Sequence, residues 1–294
     1  MPHILKNDNL EVQIDFPEEN YQNARFDWTG KIVQVIFKGK IISSVENIAT
    51  SPVEHSGLGF YNEFGIEAPV GFQEIKIGEW FHKIGVGLLK KNSNTYDCQH
   101  NYQIEPCDFT VIAKSNSIVI QCVSKMVNGY SYVLEKEITL LEDSFIVNYI
   151  LKNTGEKTIQ TTEYNHNFIA IGNDFIGDNY QLTFPFQIKP KLFIETVNLE
   201  EKVILGESDI TFSETPKEQF FFSNMSGGEQ VNASWELLHK EQKIGIRETG
   251  SFQTTSVNLW GCKHVICPET FFDVSVDPGK DLSWSRTYTV FTLD

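Results

Sequence analysis

The 294-residue chain reads as all-β, one large antiparallel sandwich spanning residues 1–294. Three observations predict this. Short runs of β-branched and aromatic residues follow one another at 31–37, 109–113, 117–123, 131–141, 145–151, 181–184 and 287–291, and such residues fit a pleated, half-buried surface. Helical periodicity is nearly absent, with single turns near 53–57 and 213–219 as the best candidates. No shift in composition, no Pro/Ser-rich linker and no repeat of fixed period divides the chain, and all-β folds often reach this length as one domain. Roughly fifteen or more strands joined by short turns make a sandwich or a barrel.

Taken in order, the first strong strand is 31–37. The stretch 51–91 then breaks the pattern, with glycines at 57, 59, 65, 71, 78, 85 and 87 and with Phe60, Phe64, Phe72, Trp80 and Phe81 interspersed. Irregular backbone carrying aromatics and charges is expected to form a lid or rim that contacts substrate, or else a loop packed over a sheet edge. Further on, Asn128-Gly129 is the sharpest hairpin signal, because both residues tolerate the positive φ of a type I′ turn; it joins 117–125 to 131–138.

Two later stretches carry the chemistry. In 163–173 a strand places Thr162, Tyr164, His166, Phe168 and Ala170 on one face, since alternate residues of a strand point the same way. A histidine between aromatics suits sugar binding, with rings lying on the apolar face of a pyranose while the imidazole reaches an oxygen. The competing reading is a core histidine satisfied by a carbonyl. In 267–273 (Cys-Pro-Glu-Thr-Phe-Phe-Asp) a carboxylate, Glu269, sits inside an apolar run. Burying it is costly unless something compensates, which an imidazolium at His166 would do. The plainer alternative is an edge glutamate facing water.

Other chemistries find little support. With 24 basic and 39 acidic residues the net charge is −15, which disfavours nucleic acid and anionic membranes as partners. No apolar run approaches the ~20 residues of a membrane helix, and residues 1–9 lack the apolar core of a signal peptide. Five cysteines (98, 107, 122, 262 and 267) without a close pair point to reduced thiols and a cytoplasmic location. Cys262 and His264 are expected to pack in the core of a strand. Neither a Gly-x-Ser-x-Gly elbow nor a P-loop is present, and seven histidines without ligand spacing argue against a metal site. What remains is an acid–base pair that needs no cofactor.

Here the residues resemble a known family. Asn165-His166-Asn167-Phe168 followed by Gly172 is similar to the histidine signature of the aldose 1-epimerases, the galactose mutarotase family. Val265-Ile266-Cys267-Pro268-Glu269 resembles that family's C-terminal strand with its glutamate, and the turn Val276-Asp277-Pro278-Gly279 and a closing strand at 284–291 follow in the same order. Residues 21–38, with Ala24-Arg25-Phe26-Asp27-Trp28-Thr29-Gly30, and residues 78–87 look like a mutarotase-like branch of that family, so the resemblance spans most of the chain.

The resemblance implies a galactose mutarotase-like β-supersandwich with an open concave cleft. It also implies an isomerase that interconverts the α and β anomers of a hexose or related monosaccharide, as a monomer or homodimer. His166 becomes the general acid and Glu269 the general base, each giving ~10²–10⁴-fold. They would face each other across the cleft, too far apart for a direct salt bridge, with opposite charges raising the histidine pKa and lowering that of the glutamate. Arg25, Glu63, His82 and Lys83 become candidates to hold hydroxyls, and Trp260 or Trp80 to stack on the ring. The family's early Gly-Arg-x-Ala-Asn-Arg loop is missing, with 59–65 in its place, and its second histidine has only His82 and Lys83 as positional counterparts. Phosphorylated hexoses are disfavoured, because the three arginines, Arg25, Arg247 and Arg286, lie far apart in sequence. A non-catalytic sugar-binding protein of the same fold is the alternative from another class.

Overall fold

Alternation of side chains builds the molecule. In the computed structural model, which describes residues 2–48 and 56–293, Tyr132–Leu140 and Asp281–Thr292 bury every second side chain along most of their length. That is the mark of strands with one face in a core. A seven-stranded sheet runs in the order His3–Lys6, Leu10–Asp15, Lys31–Phe37, Phe60–Phe64, Ile159–Asn167, Phe272–Val276, with Lys40–Ile41 paired beside Lys31–Phe37. A ten-stranded sheet has Val231–His239, Ile244–Thr254, Asp281–Thr292, Ser144–Asn153 and Tyr132–Leu140 at its centre. Neighbouring strands in both sheets pair antiparallel.

The main core joins the two sheets, with Val12, Ile14 and Phe60 from one and Leu134, Val147 and Tyr288 from the other. Phe60 meets Tyr288 edge-on at 5.0 Å between ring centroids. A second apolar cluster includes Phe26, Tyr61, Phe81, Leu89, Phe168 and Cys267. It ties the seven-stranded sheet to a three-stranded sheet (Trp80–Lys83, Gly87–Lys90, Ile104–Pro106) and a four-stranded one (Thr196–Val197, Phe220–Phe222, Val257–Cys262, Val265–Thr270). The all-β expectation holds. Helix among the described residues is confined to single 3₁₀ turns at Phe72–Glu74, Ile171–Asn173 and Pro190–Leu192, and none is long and apolar enough to cross a membrane.

The Asn128-Gly129 hairpin forms as read. Both residues have positive φ (56° and 82°), and Ser117–Val123 pairs with Tyr132–Leu140. The turn expected at 213–219 is not helical, because the backbone N–H groups of Lys217 and Glu218 donate to the Glu200 carboxylate instead. Most of the turn expected near 53–57 lies outside the described residues. Gly59 shows why glycine is required where the chain re-enters the sheet. Its φ is +62°, and a Cβ there would lie 2.2 Å from the carbonyl oxygen of Ile32, so any side chain meets both strain and a clash.

Candidate functional site

The chain passes from one sheet to another at Phe271. Residues 265–270 pair with Val257–Cys262, and residues 272–276 pair with Ile159–Asn167. This crossing lays the 269–273 segment beside the 162–166 segment and makes a ladder of three rungs. His166 touches Glu269, Nε2 to Oε1 at 3.2 Å. Tyr164 stacks on Phe271 at 4.6 Å and 18°. Thr162 is the register partner of Asp273. All six line a cleft of 470 Å³, whose walls also include Arg25, Glu46, Ile66, Glu67, Asn258, Trp260 and Phe221. The sheet face read from the sequence is therefore the cleft face at Thr162, Tyr164 and His166, whereas Phe168 is buried under His166.

The opposite face of the same strand is held by buried polar groups. Glu163 accepts hydrogen bonds from Arg286 Nη2 (2.8 Å) and Nε (3.1 Å) and from Trp284 Nε1 (3.1 Å). Arg286 also pairs with Glu248, which accepts from Trp235 Nε1 at 2.8 Å. Asn167 Nδ2 donates both to Glu248 and to the carbonyl of Pro268, each at 2.8 Å. Asn167 and Pro268 are the chain neighbours of His166 and Glu269, so this one amide fixes the two strands that carry the pair.

The contact between His166 and Glu269 corrects the expectation of a gap between them. Both residues are 5% exposed, and burial decides their charge. It pushes Glu269 up to about 8, with Glu63 and Glu46 adding to the rise and Arg25 opposing it. It drops His166 well below its ordinary value, and the positive Arg25 adds to the fall. The expected mutual ionisation is thus reversed, because burial, the largest influence on each group, disfavours both charged forms. A neutral imidazole with a protonated carboxyl carries the same number of protons as an imidazolium with a carboxylate. Both shifts favour the neutral form, which leaves the pair one transferable proton. Phe168 lies flat against the imidazole (4.4 Å, 5°), and Phe26 and Trp260 meet it edge-on (6.1 Å and 6.0 Å). His166 Nδ1 has no hydrogen-bond partner among the described residues, so packing rather than a second hydrogen bond sets the ring.

The other residues named from the sequence divide into two groups. Arg25 and Trp260 line the cleft. Arg25 Nη1 pairs with Glu46 at 2.7 Å and its Nε with Glu63 at 3.3 Å, and its guanidinium lies 4.4 Å over Phe26. Nη2 keeps no partner among the described residues. Glu63, Lys83 and His82 do not reach the cleft, which corrects their assignment as hydroxyl holders. Glu63 is fully buried and taken up by Arg25, Lys83 Nζ (3.0 Å) and the Tyr164 hydroxyl (2.7 Å). Lys83 is fully buried between Glu63 and Tyr96. His82 is 1% exposed beside Tyr130 and Tyr132, and burial lowers its pKa to about 4. The strand order explains the difference: Trp80–Lys83 belongs to the three-stranded sheet, and none of its residues lines the cleft. Trp80 is on that strand too, under Lys90. From the glycine-rich stretch, only Ile66 and Glu67 among the described residues line the cleft, and residues 51–55 lie outside them.

Several other residues of the cleft carry little or no signal in the sequence. Glu46, which anchors Arg25, sits in an irregular segment with no periodic signal. Phe271 and Asp273 were open to the alternation rule, because they continue the Glu269 face at every second position. Cys262 packs against the second apolar cluster as expected, whereas His264 belongs to neither cluster. They are half-buried around the turn between two strands, with Sγ 3.2 Å from Nδ1 and the thiol pushed up by burial.

No family model matches the chain, and no curated protein does. Solved structures do match over its whole length. A galactose mutarotase related enzyme from Lactobacillus acidophilus superposes with a TM-score of 0.62 at 12% identity, covering 100% of this chain and 99% of its own. The aldose epimerase homologue of C. elegans gives 0.60 at 10% identity, covering 100% of each chain. The fold is that of the galactose mutarotase-like proteins. A galactose mutarotase-like protein from Lactobacillus casei aligns similarly, at 0.56 and 11% over 99% of this chain and 100% of its own. At such identities the likeness establishes the mutarotase-like fold, and any activity has to be argued from the site.

Proposed function

We propose that this chain is a mutarotase that interconverts the α and β anomers of an aldose by general acid–base catalysis. The observation that carries this reading is the buried contact between His166 and Glu269 in a cleft also lined by Trp260, Phe271 and Tyr164. Ring opening needs the anomeric hydroxyl proton removed and a proton placed on the ring oxygen. A pair with one site empty and one filled does both without a net change in protons. When the free aldehyde rotates and the ring closes on its other face, each residue takes the opposite role, and the pair returns to its starting state. His166 as acid and Glu269 as base is one direction of that exchange; the neutral resting form favours the other for the first step. A sugar entering the cleft has to part the 3.2 Å contact; in this reading Arg25, which lines the cleft, donates from Nη2 to a sugar hydroxyl.

Polarimetry on freshly dissolved α-glucose or α-galactose tests this. His166→Asn and Glu269→Gln keep volume and much of the hydrogen bonding but abolish proton transfer, so each is expected to lower the rate ~10²–10⁴-fold. The double variant should be little worse than either single one, because the two residues act in one transition state.

The closed contact also favours a second reading, a sugar-binding protein without turnover, in which the pair only supplies hydrogen bonds. Wild-type binding of a sugar without acceleration of its mutarotation supports that reading and sinks the first.

A further inference from the structure

The cleft continues well beyond the acid–base pair. Along Ile159–Asn167 the cleft-lining positions are His166, Tyr164 and Thr162. At 3.2–3.4 Å per residue they span about 13 Å, longer than one pyranose. The partner segment keeps step, with Glu269, Phe271 and Asp273. The rungs differ in chemistry: proton transfer at His166 and Glu269, an aromatic step at Tyr164 and Phe271, and a polar end at Thr162 and Asp273. Glu67 joins that polar end, because the Gly65 N–H donates to the Thr162 carbonyl and brings the 65–67 turn alongside. Glu67 and Asp273 are exposed, and neither carboxylate has a hydrogen-bond or ion-pair partner among the described residues. Among the described residues, no cation lines this end of the cleft.

We infer that the cleft is built for the reducing end of an uncharged disaccharide or longer oligosaccharide. Its first unit sits at His166 and Glu269, and its second at a subsite formed by Phe271, Thr162, Asp273 and Glu67. The inference rests on the mutarotase reading only for the placement of the first unit. Half-buried Phe271 offers its ring as the step between the units, matching the apolar face of a sugar. The two carboxylates accept hydrogen bonds from the hydroxyls of the second, and hydrogen bonds to ionised acceptors are roughly twice as strong as neutral ones. The same carboxylates repel a phosphate or a uronate, so anionic sugars are excluded from this end.

Calorimetric titration of the full chain with glucose, galactose, maltose, cellobiose and lactose tests the subsite apart from turnover. At least one of the disaccharides is expected to bind about tenfold or more tightly than the monosaccharide at its reducing end, about one charge-assisted hydrogen bond's worth. Asp273→Asn and Glu67→Gln should each shrink that ratio towards one. Disaccharides that bind no more tightly than monosaccharides, or a ratio that neither substitution moves, overturn the subsite, and mutarotation of the monosaccharides would leave the catalytic reading standing. A disaccharide advantage without any acceleration of mutarotation keeps the subsite and removes the catalysis.

Discussion

At the scale of single residues, the site depends on how burial sets charge. Glu269 holds its proton up to about pH 8 in the folded chain, against about 4.3 for a glutamate in an unfolded one. Between those values the folded protein binds a proton that the unfolded chain releases, so this residue lowers stability as pH rises across that window. Glu269→Gln removes the effect. The variant is expected to melt above the wild type, with the difference growing from about pH 4.5 to 8 and then widening no further; thermal denaturation at a series of pH values reads it. Equal melting temperatures across the window would mean that Glu269 is solvated. A glutamate inside Cys-Pro-Glu-Thr-Phe-Phe was legible in the sequence as a buried acid. Its direct contact with His166 was not, because the distance is set by the crossing at Phe271 and by Asn167, neither of which has a periodic signature.

At the scale of elements, Ile159–Asn167 is held from behind by one buried arginine shared between two carboxylates. Arg286 bonds Glu163 and Glu248 with all three residues fully buried. Arg286→Met leaves two buried carboxylates without their cation, and breaking a buried pair in this way costs about 3–5 kcal/mol. Asn167→Ala is milder. It leaves the Pro268 carbonyl with one partner fewer, at about 1–3 kcal/mol, but it also frees the 265–270 strand beside His166. Chemical denaturation should rank the two in that order, and mutarotation should fall in Asn167→Ala at temperatures where the fold persists. Strand existence was plain from composition and turn chemistry, as the Asn128-Gly129 hairpin shows. Which sheet a strand joins was not. His82 and Lys83 were placed near the sugar by their position in the chain, whereas pairing of Trp80–Lys83 with Gly87–Lys90 carries them into a separate small sheet.

At the scale of the whole molecule, two large sheets share one core, and the cleft lies where the seven-stranded sheet gives way to the four-stranded one. A single domain over 1–294 is expected to unfold in one cooperative transition, with coincident curves from tryptophan fluorescence and circular dichroism; two separated transitions would divide the chain. The large sandwich follows from the unbroken succession of short strands, and the shared order of the His166 and Glu269 motifs located the cleft within it. The charge state of the pair depends on the whole enclosure, since burial is a property of the packed molecule rather than of either motif. That charge state is also where the proposal is most exposed. The direct measurement is the pH dependence of kcat/KM for mutarotation by the wild-type protein, which reports the groups of the free enzyme. The two apparent values belong to the pair. The expected profile is level through neutral pH and falls above about pH 8, as the pair loses its shared proton from Glu269. At the acid end it falls only below the ordinary histidine range, as His166 takes up a second proton. An alkaline limb near the ordinary histidine value, or no acceleration at any pH, would contradict the buried one-proton pair.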